Sequence, residues 1–404
     1  RDLHGTNRRQ RQICIRDSYK EKLGVNIDIK ASTSRKEALE GATFCIISIE
    51  VGKRFDLWDQ DWKIPLQYGI RQVYGENGGP GGLFHSLRQI PPIIEICEDI
   101  NLICPDAVVF NFSNPMQRIC HAVTTKFPDL KFIGLCHEIK SMNRQLPDLM
   151  ETEMHNIEYR AAGLNHLSIL LEARYKNTGK DGYPIIKQNF DAYFSDLVNK
   201  HDAKPSKPGA ERGVFRKLFK TYGYLPITTD SHLGEYIQWA YSVADHDAIL
   251  DFYDNYKEKC LAFYDNKTSY DHYFDLNNLD THERVVPIIE GILSDSAYEE
   301  PAINIPNNGY IECLPKDIVV EVPGIINKSG ISGISFKNYP AAFGSLLNSQ
   351  SGVIQMTTDA VLNASKHSAY LALLADPVVN DSFQAEKLLN NMLETQGKFL
   401  YYLK

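Results

Sequence analysis

The chain has 404 residues, of which 43% are hydrophobic and 23% charged, with a formal net charge of −8. That length predicts two domains or one large doubly wound domain with an appendage, and the acidic balance argues against a nucleic-acid or anionic-membrane partner. Arg8, Arg9, Arg11, Lys20 and Lys22 read as a solvated helix face. No run reaches the roughly 18 apolar residues needed to span a bilayer, and no apolar signal-peptide core stands at the start, so a cytoplasmic protein is expected. The eight cysteines are scattered without a tight framework and should be reduced.

Taken in chain order, Arg1-Asp2-Leu3 reads as the end of a strand whose acidic residue would bind a ribose diol. No glycine-rich turn precedes residue 40, so a first strand and helix are expected upstream of Arg1. Residues 43–49 (TFCIISI), 107–112 (AVVFNF) and 131–136 (KFIGLC) are continuous apolar runs with β-branched or aromatic residues, the pattern of strands buried on both faces. Between them, residues 89–102 carry helical spacing behind Pro91 and Pro92, and residues 116–126 suit a helix begun behind Asn114-Pro115. This alternation predicts a Rossmann-like, doubly wound parallel sheet over residues 1–155.

From residue 156 to 404 the pattern turns mixed and helix-rich, which predicts a second domain carrying substrate, metal and oligomer contacts. A strand-like run surrounds GLNH within residues 158–172, and residues 188–265 are mainly helical with loops at 204–209 and 225–231. A strand is expected at 316–323, and closing helices at 352–375 and 382–402.

In an open parallel sheet, ligands gather at the carboxyl ends of the strands. Glu50-Val51-Gly52, residues 111–114 and Cys136-His137-Glu138 should therefore share one crevice. Cys136 and His166 offer a thiolate and a neutral imidazole, which suit a divalent transition metal while leaving positions open for substrate oxygens; spacing alone does not separate that reading from ordinary packing. In NFSNPM (111–116) the Asn-Pro step punctuates strand and helix, and Asn114 adds an amide that could meet a sugar hydroxyl or the nicotinamide side. GENGGPGGLFHSLRQIP (75–91) reads as a flexible loop, not a P-loop, followed by a helix on which Arg88 could face a ligand. In TYGYLPITTDSHLGEY (221–236), Asp230, His232, Glu235 and Tyr236 crowd together, and Asp230 is equally a helix cap or an acid–base group.

In this order GENGGPGGLFHSLRQIP, NFSNPM, GLCHEI, AGLNH and TYGYLPITTDSHLGEY resemble the motif series of glycoside hydrolase family 4, the NAD- and metal-dependent glycosidases. The resemblance runs from Asp2 to the C-terminal helices and includes NNGYIECLPKDIVVEVP (307–323). It implies a lactate/malate dehydrogenase-like fold and an oxidation-first mechanism, outside the two-carboxylate scheme of most glycosidases. NAD⁺ takes a hydride from sugar C3, a base removes the acidified C2 proton, the leaving group departs, water adds, and the hydride returns.

The resemblance further implies Cys136 and His166 as metal ligands, for Mn²⁺, where ligand softness alone would have suggested zinc. His137 matches the general acid. Asp230 or Tyr236 matches the region of the C2 base, with Asp230 favoured because a carboxylate is ionised near neutral pH. Asn114, Arg88, Asn165 and His232 are expected at the substrate, and Asp2, Ser48, Glu50 and Asn111 at the cofactor. Cys-His-Glu looks like the α-galactosidase and α-galacturonidase branch, so an unphosphorylated α-hexoside is expected, α-galactoside first, with α-galacturonide or α-glucoside as alternatives. A homodimer or homotetramer is expected. The rival readings are an NAD-dependent 2-hydroxyacid dehydrogenase and a non-catalytic sugar-binding relic.

Overall fold

The computed structural model describes residues 30–200, 212–264 and 283–404, together with Gly24 and Asp28. Asp2 and the loop expected at 204–209 lie outside the described residues. The three apolar runs form parallel strands β1 (Phe44–Ile47), β2 (Val108–Asn111) and β3 (Lys131–Gly134), adjacent in that order. Their runs are continuous because both faces are covered. Cys45, Ile47, Val109 and Phe132 point into one core cluster, while Val108, Phe110 and Ile133 point into another.

Four elements link and cover these strands. Helix α1 (Arg54–Gln67) follows β1, the long helix α2 (Gly79–Ile103) leads into β2, and α3 (Met116–Lys126) joins β2 to β3. After β3 comes α4 (Ser141–Met150). A hairpin of β4 (Ile157–Leu164) and β5 (Leu167–Tyr175) replaces the single strand expected around GLNH. Helices α5 (Gly213–Tyr222) and α6 (Asp230–Leu233) follow, then β6 (Tyr298–Pro306), β7 (Val319–Asn327) and β8 (Gly330–Gly333). Helix α7 (Ala341–Leu362) packs against α2 and α3 and leads into α8 (Lys366–Ala375) and α9 (Ser382–Thr395). All eight strands form one sheet in the order β1-β2-β3-β6-β7-β4-β5, with β8 paired to β7. The parallel part and the antiparallel part meet where β3 pairs with β6, at Gly134 and Asn304.

The glycine-rich stretch is not the flexible loop that its composition predicts. Helix α2 begins inside it, with Pro80 in its first turn, and runs straight through Pro91 and Pro92. The glycines serve close packing: a Cβ on Gly81 would stand 2.5 Å from the Gly75 carbonyl oxygen, and one on Gly82 would stand 2.4 Å from the Asn77 carbonyl carbon. Arg88, on this helix, does not face a ligand. Its guanidinium is buried, where it donates to both oxygens of Asp61 and, at 3.1 Å, to Gln396. A planar cation with a bidentate carboxylate partner is fully committed to the α1–α2 packing. Arg88→Ala leaves the Asp61 charge buried and unpaired, and should lower the unfolding free energy by about 3–5 kcal/mol in urea denaturation.

Candidate active site

The carboxyl ends of β1, β2 and β3 open onto a cavity of about 460 Å³, with Ser48, Asn114, Cys136, His137, Glu138, His166, His232 and Glu283 among the residues of its wall. Of the residues expected at substrate, cofactor or metal, the structure brings Ser48, Asn114, Cys136, His137, His166 and His232 together in this wall. Cys136 lies just beyond β3. His166 comes from the other half of the sheet, at the tip of the β4–β5 hairpin, whose register pairs Leu164 with Leu167 and leaves only Asn165 and His166 to make the turn. His166 has φ 135°, a backbone conformation that residues with a side chain rarely adopt, while Asn165 does not share it. The turn aims its Nε2 at Cys136 Sγ, 3.4 Å away, and leaves its Nδ1 buried without a hydrogen-bond partner among the described residues.

The His232 ring stacks on His166 with centroids 4.3 Å apart and planes 27° from parallel. Glu235 faces it, with Oε2 at 3.7 Å from His232 Nδ1. Burial works against a charge on His232, but Glu235, Glu76 and Glu138 outweigh it and push its pKa up to about 9. Burial, with His232 and His137 adding like charge, holds His166 well below the ordinary imidazole range. His166 is thus a neutral imidazole, the form that ligates a metal. Burial, then Glu321 and Glu138, push the Cys136 thiol well above its usual range, so only a cation beside it makes the thiolate favourable.

The donor pair fits a divalent ion. A separation of 3.4 Å between Sγ and Nε2 matches two donors on one first-row metal, at metal–sulfur and metal–nitrogen lengths of about 2.3 and about 2.1 Å. Among the described residues no group of three or more His, Cys, Asp or Glu side chains makes a closed metal cage. The arrangement is an open one, with room for substrate oxygens.

The remaining predicted residues hold the site's frame and do not line the cavity. Asn111 is buried and its amide donates to the Ser113 carbonyl at 2.9 Å, bracing the turn after β2. Glu50 accepts from Arg54 at 2.7 Å and from Gln89 at 2.6 Å, which ties β1 to α1 and α2 and takes up the oxygens expected to meet the cofactor. Asn165 donates to Glu321 at 2.8 Å instead of reaching a substrate. Asp230 is wholly buried, and its two oxygens accept the backbone N–H groups of Val214 and Phe215, each at 2.9 Å. It caps α5, a different helix from the one it begins. The Tyr236 hydroxyl lies 3.4 Å from the Asn165 carbonyl, at the hairpin tip.

Three further carboxylates shape the site, of which the sequence pattern had marked only Glu235, within TYGYLPITTDSHLGEY. Glu321 accepts from Asn165, from Ser168 at 3.0 Å and from Asn304 at 3.3 Å, and so fixes the base of the hairpin turn. A charged residue in the apolar run IVVEVP was its visible signal. Glu235 receives the backbone N–H groups of Glu76 and Asn77, joining the start of α2 to His232. Glu283 sits 3.4 Å from His137 Nδ1, raises that ring's pKa against the effect of burial, and had no sequence signal.

With this geometry in hand, similarity to known proteins is decisive. Residues 2–152 match the family 4 glycosyl hydrolases and residues 161–379 match that family's C-terminal domain. The chain belongs to family 4 of the glycosyl hydrolases. It is 46% identical over 401 residues to an alpha-glucosidase of Erwinia rhapontici, covering 93% of this chain and 86% of that protein. An alpha-galactosidase of Bacillus subtilis is 30% identical over 370 residues, covering 90% of this chain and 81% of that one. In fold it resembles a 6-phospho-beta glucosidase of Thermotoga maritima solved with manganese, NAD⁺ and glucose-6-phosphate, at a TM-score of 0.74 and 22% identity over 97% of this chain and 90% of the other. No helix among the described residues is long and apolar enough to cross a membrane.

Because Asp230 satisfies two N–H groups at the start of α5, Asp230→Ala should cost about 1–2 kcal/mol of stability in chemical denaturation. Asp230→Asn, which keeps an oxygen acceptor, should recover part of that loss.

Proposed function

We propose that this protein hydrolyses an uncharged, unphosphorylated α-glucoside in the presence of NAD⁺ and Mn²⁺. The observation that carries the reading is the approach of Cys136 Sγ and His166 Nε2 to 3.4 Å in the wall of a cavity at the carboxyl ends of a parallel sheet. The family 4 neighbour solved with manganese and NAD⁺ supports the choice of both groups.

The two groups supply a hydride acceptor for sugar C3 and a Lewis acid for the sugar oxygens. Cys136 and His166 would hold the ion, the cysteine giving up its proton to do so. Ser48 and Asn114, on the ends of the parallel strands, offer a hydroxyl and an amide to the nicotinamide side and the sugar. His137 stands half exposed at the cavity wall beside Glu283, placed to pass a proton to the departing oxygen. Of the two candidate bases, Asp230 has both oxygens taken by backbone N–H groups, which leaves Tyr236, whose hydroxyl reaches the hairpin tip from behind the cavity wall, as the candidate for the C2 proton once it turns toward the sugar.

Two observations bear on the sugar. Among its described lining residues the cavity sets two carboxylates, Glu138 and Glu283, against the cationic His232, which leaves no surplus positive charge for a 6-phosphate or a galacturonate carboxylate. The 46% identity to an alpha-glucosidase, against 30% to an alpha-galactosidase, favours glucose over the galactose expected from the motifs.

Hydrolysis of nitrophenyl α-glucoside, α-galactoside and α-galacturonide, with NAD⁺ and Mn²⁺ omitted in turn, tests the reading. Glucoside cleavage that requires both groups is the expected result; cleavage that survives chelation, or oxidation of lactate or malate, overturns it. Cys136→Ser should abolish turnover and weaken Mn²⁺ binding measured by titration, while leaving the circular-dichroism spectrum unchanged.

A further inference from the structure

One row of paired residues crosses the sheet between the segments that carry Cys136 and His166. Gly134 on β3 is opposite Asn304 on β6, Asn304 is opposite Glu321 on β7, Glu321 is opposite Gly163 on β4, and Gly163 is opposite Ser168 on β5. Cys136 follows the first member of the row by two residues, and His166 lies between the last two members. Residues directly opposite one another share a face of the sheet, so the Glu321 side chain stands in the middle of one line of neighbours. We infer that Glu321 is a positioning residue for the divalent ion, and that its negative charge, not only its hydrogen bonds, sets how tightly Cys136 and His166 hold that ion. This rests on the proposed metal reading and deepens it.

Packing argues first. Glu321 is buried, and it accepts the Asn165 amide at 2.8 Å, the Ser168 hydroxyl at 3.0 Å and the Asn304 amide at 3.3 Å. The two glycines of the row make room for these donors. A Cβ on Gly163 would stand 2.9 Å from Ser168 Oγ, and one on Gly134 would stand 2.9 Å from Asn304 Cβ. The donors also reach the segments of both metal ligands. Asn165 precedes His166 in the turn, and Asn304 meets the carbonyl of Gly134, on the strand that leads to Cys136, at 3.4 Å.

Charge argues next. All three donors are neutral, and neither lysine nor arginine pairs with Glu321 among the described residues. A carboxylate buried without a cationic partner costs free energy. After burial itself, Glu321 is the strongest influence holding the Cys136 thiol in its protonated form, so its field reaches the sulfur. Glu138 acts on the same thiol but is partly open to solvent, which screens it. With a divalent cation at Cys136 and His166, the field that opposes a thiolate becomes an attraction for the ion. Groups behind the ligands of a metal commonly set its affinity in this way.

The test titrates Mn²⁺ into the full, metal-stripped chain with NAD⁺ present and follows the paramagnetic resonance signal of free Mn²⁺, in the native protein, Glu321→Gln and Ser168→Ala. Glutamine keeps an oxygen for Asn165 and Asn304 and turns its amide toward Ser168, whose hydroxyl still donates to the Leu164 carbonyl, so the charge alone is removed. Ser168→Ala removes a hydrogen bond and keeps the charge. Glu321→Gln should weaken Mn²⁺ binding by about 10–100-fold with no fall in the melting temperature of the metal-free protein. Ser168→Ala should lower that melting temperature and hold Mn²⁺ more tightly than Glu321→Gln does. Native affinity in Glu321→Gln, equal losses in the two variants, or a loss in Glu321→Gln that comes with a lower melting temperature overturns the inference and leaves the metal reading standing. Absence of Mn²⁺ binding in the native protein overturns both.

Discussion

A two-residue turn must bring an imidazole from one half of the sheet against a thiol from the other, and much of the surrounding structure serves that requirement. With only Asn165 and His166 between β4 and β5, the second residue is driven to φ 135°, a costly conformation for a side chain branched into a ring. Neighbouring residues over-determine it. Gly163 has no room for a Cβ, which would stand 2.4 Å from the Leu167 carbonyl oxygen. Ser168 donates to the Leu164 carbonyl at 2.9 Å and to Glu321 at 3.0 Å, while the carbonyl oxygen of the Gln117 side chain, on α3, meets the Asn165 N–H at 3.4 Å.

The same frame concentrates negative charge. Glu76, Glu138, Glu235 and Glu321 stand around His232 and Cys136, and burying carboxylates costs free energy unless hydrogen bonds or cations compensate. Glu235 and Glu321 take their compensation from backbone amides, side-chain amides and a hydroxyl. Cys136 has the Glu138 backbone and the Asn165 side chain in favour of its thiolate, but burial with Glu321 and Glu138 outweighs them and keeps it protonated. A divalent cation relieves this imbalance, so the metal reading follows from the electrostatics of the cavity as well as from the identity of its two donors.

The sequence made the parallel strands legible because strands buried on both faces are continuous apolar runs, and residues 43–49, 107–112 and 131–136 each contain the observed strand. Residues at the strand ends could be placed by the general rule for open sheets, and Ser48, Asn114 and Cys136 do meet there. Burial state was not legible. Arg88, Asn111 and Asp230 are polar residues of the kind that sites use, but each is consumed internally by Asp61, by Ser113 or by the start of α5. Glycine content misled for a related reason: in GENGGPGG it signals close packing against backbone and not freedom, and composition does not distinguish the two. Glu283 meets His137 across a long sequence separation, a contact that no local pattern encodes.

The seam at Gly134 and Asn304 bears on how the protein moves. There β3 of the parallel part pairs with β6 of the antiparallel part, and a Cβ on Gly134 would stand 2.7 Å from Cys120 Sγ and 2.9 Å from the Asn304 side chain. The Asn304 amide reaches both the Gly134 carbonyl at 3.4 Å and Glu321 at 3.3 Å, so one side chain rivets the junction to the carboxylate beneath the hairpin turn. Two lobes joined through a common sheet cannot swing about a linker without breaking that pairing. Cys136 and His166 are therefore brought to their spacing by folding itself, and a ligand meets a mouth whose jaws are already set.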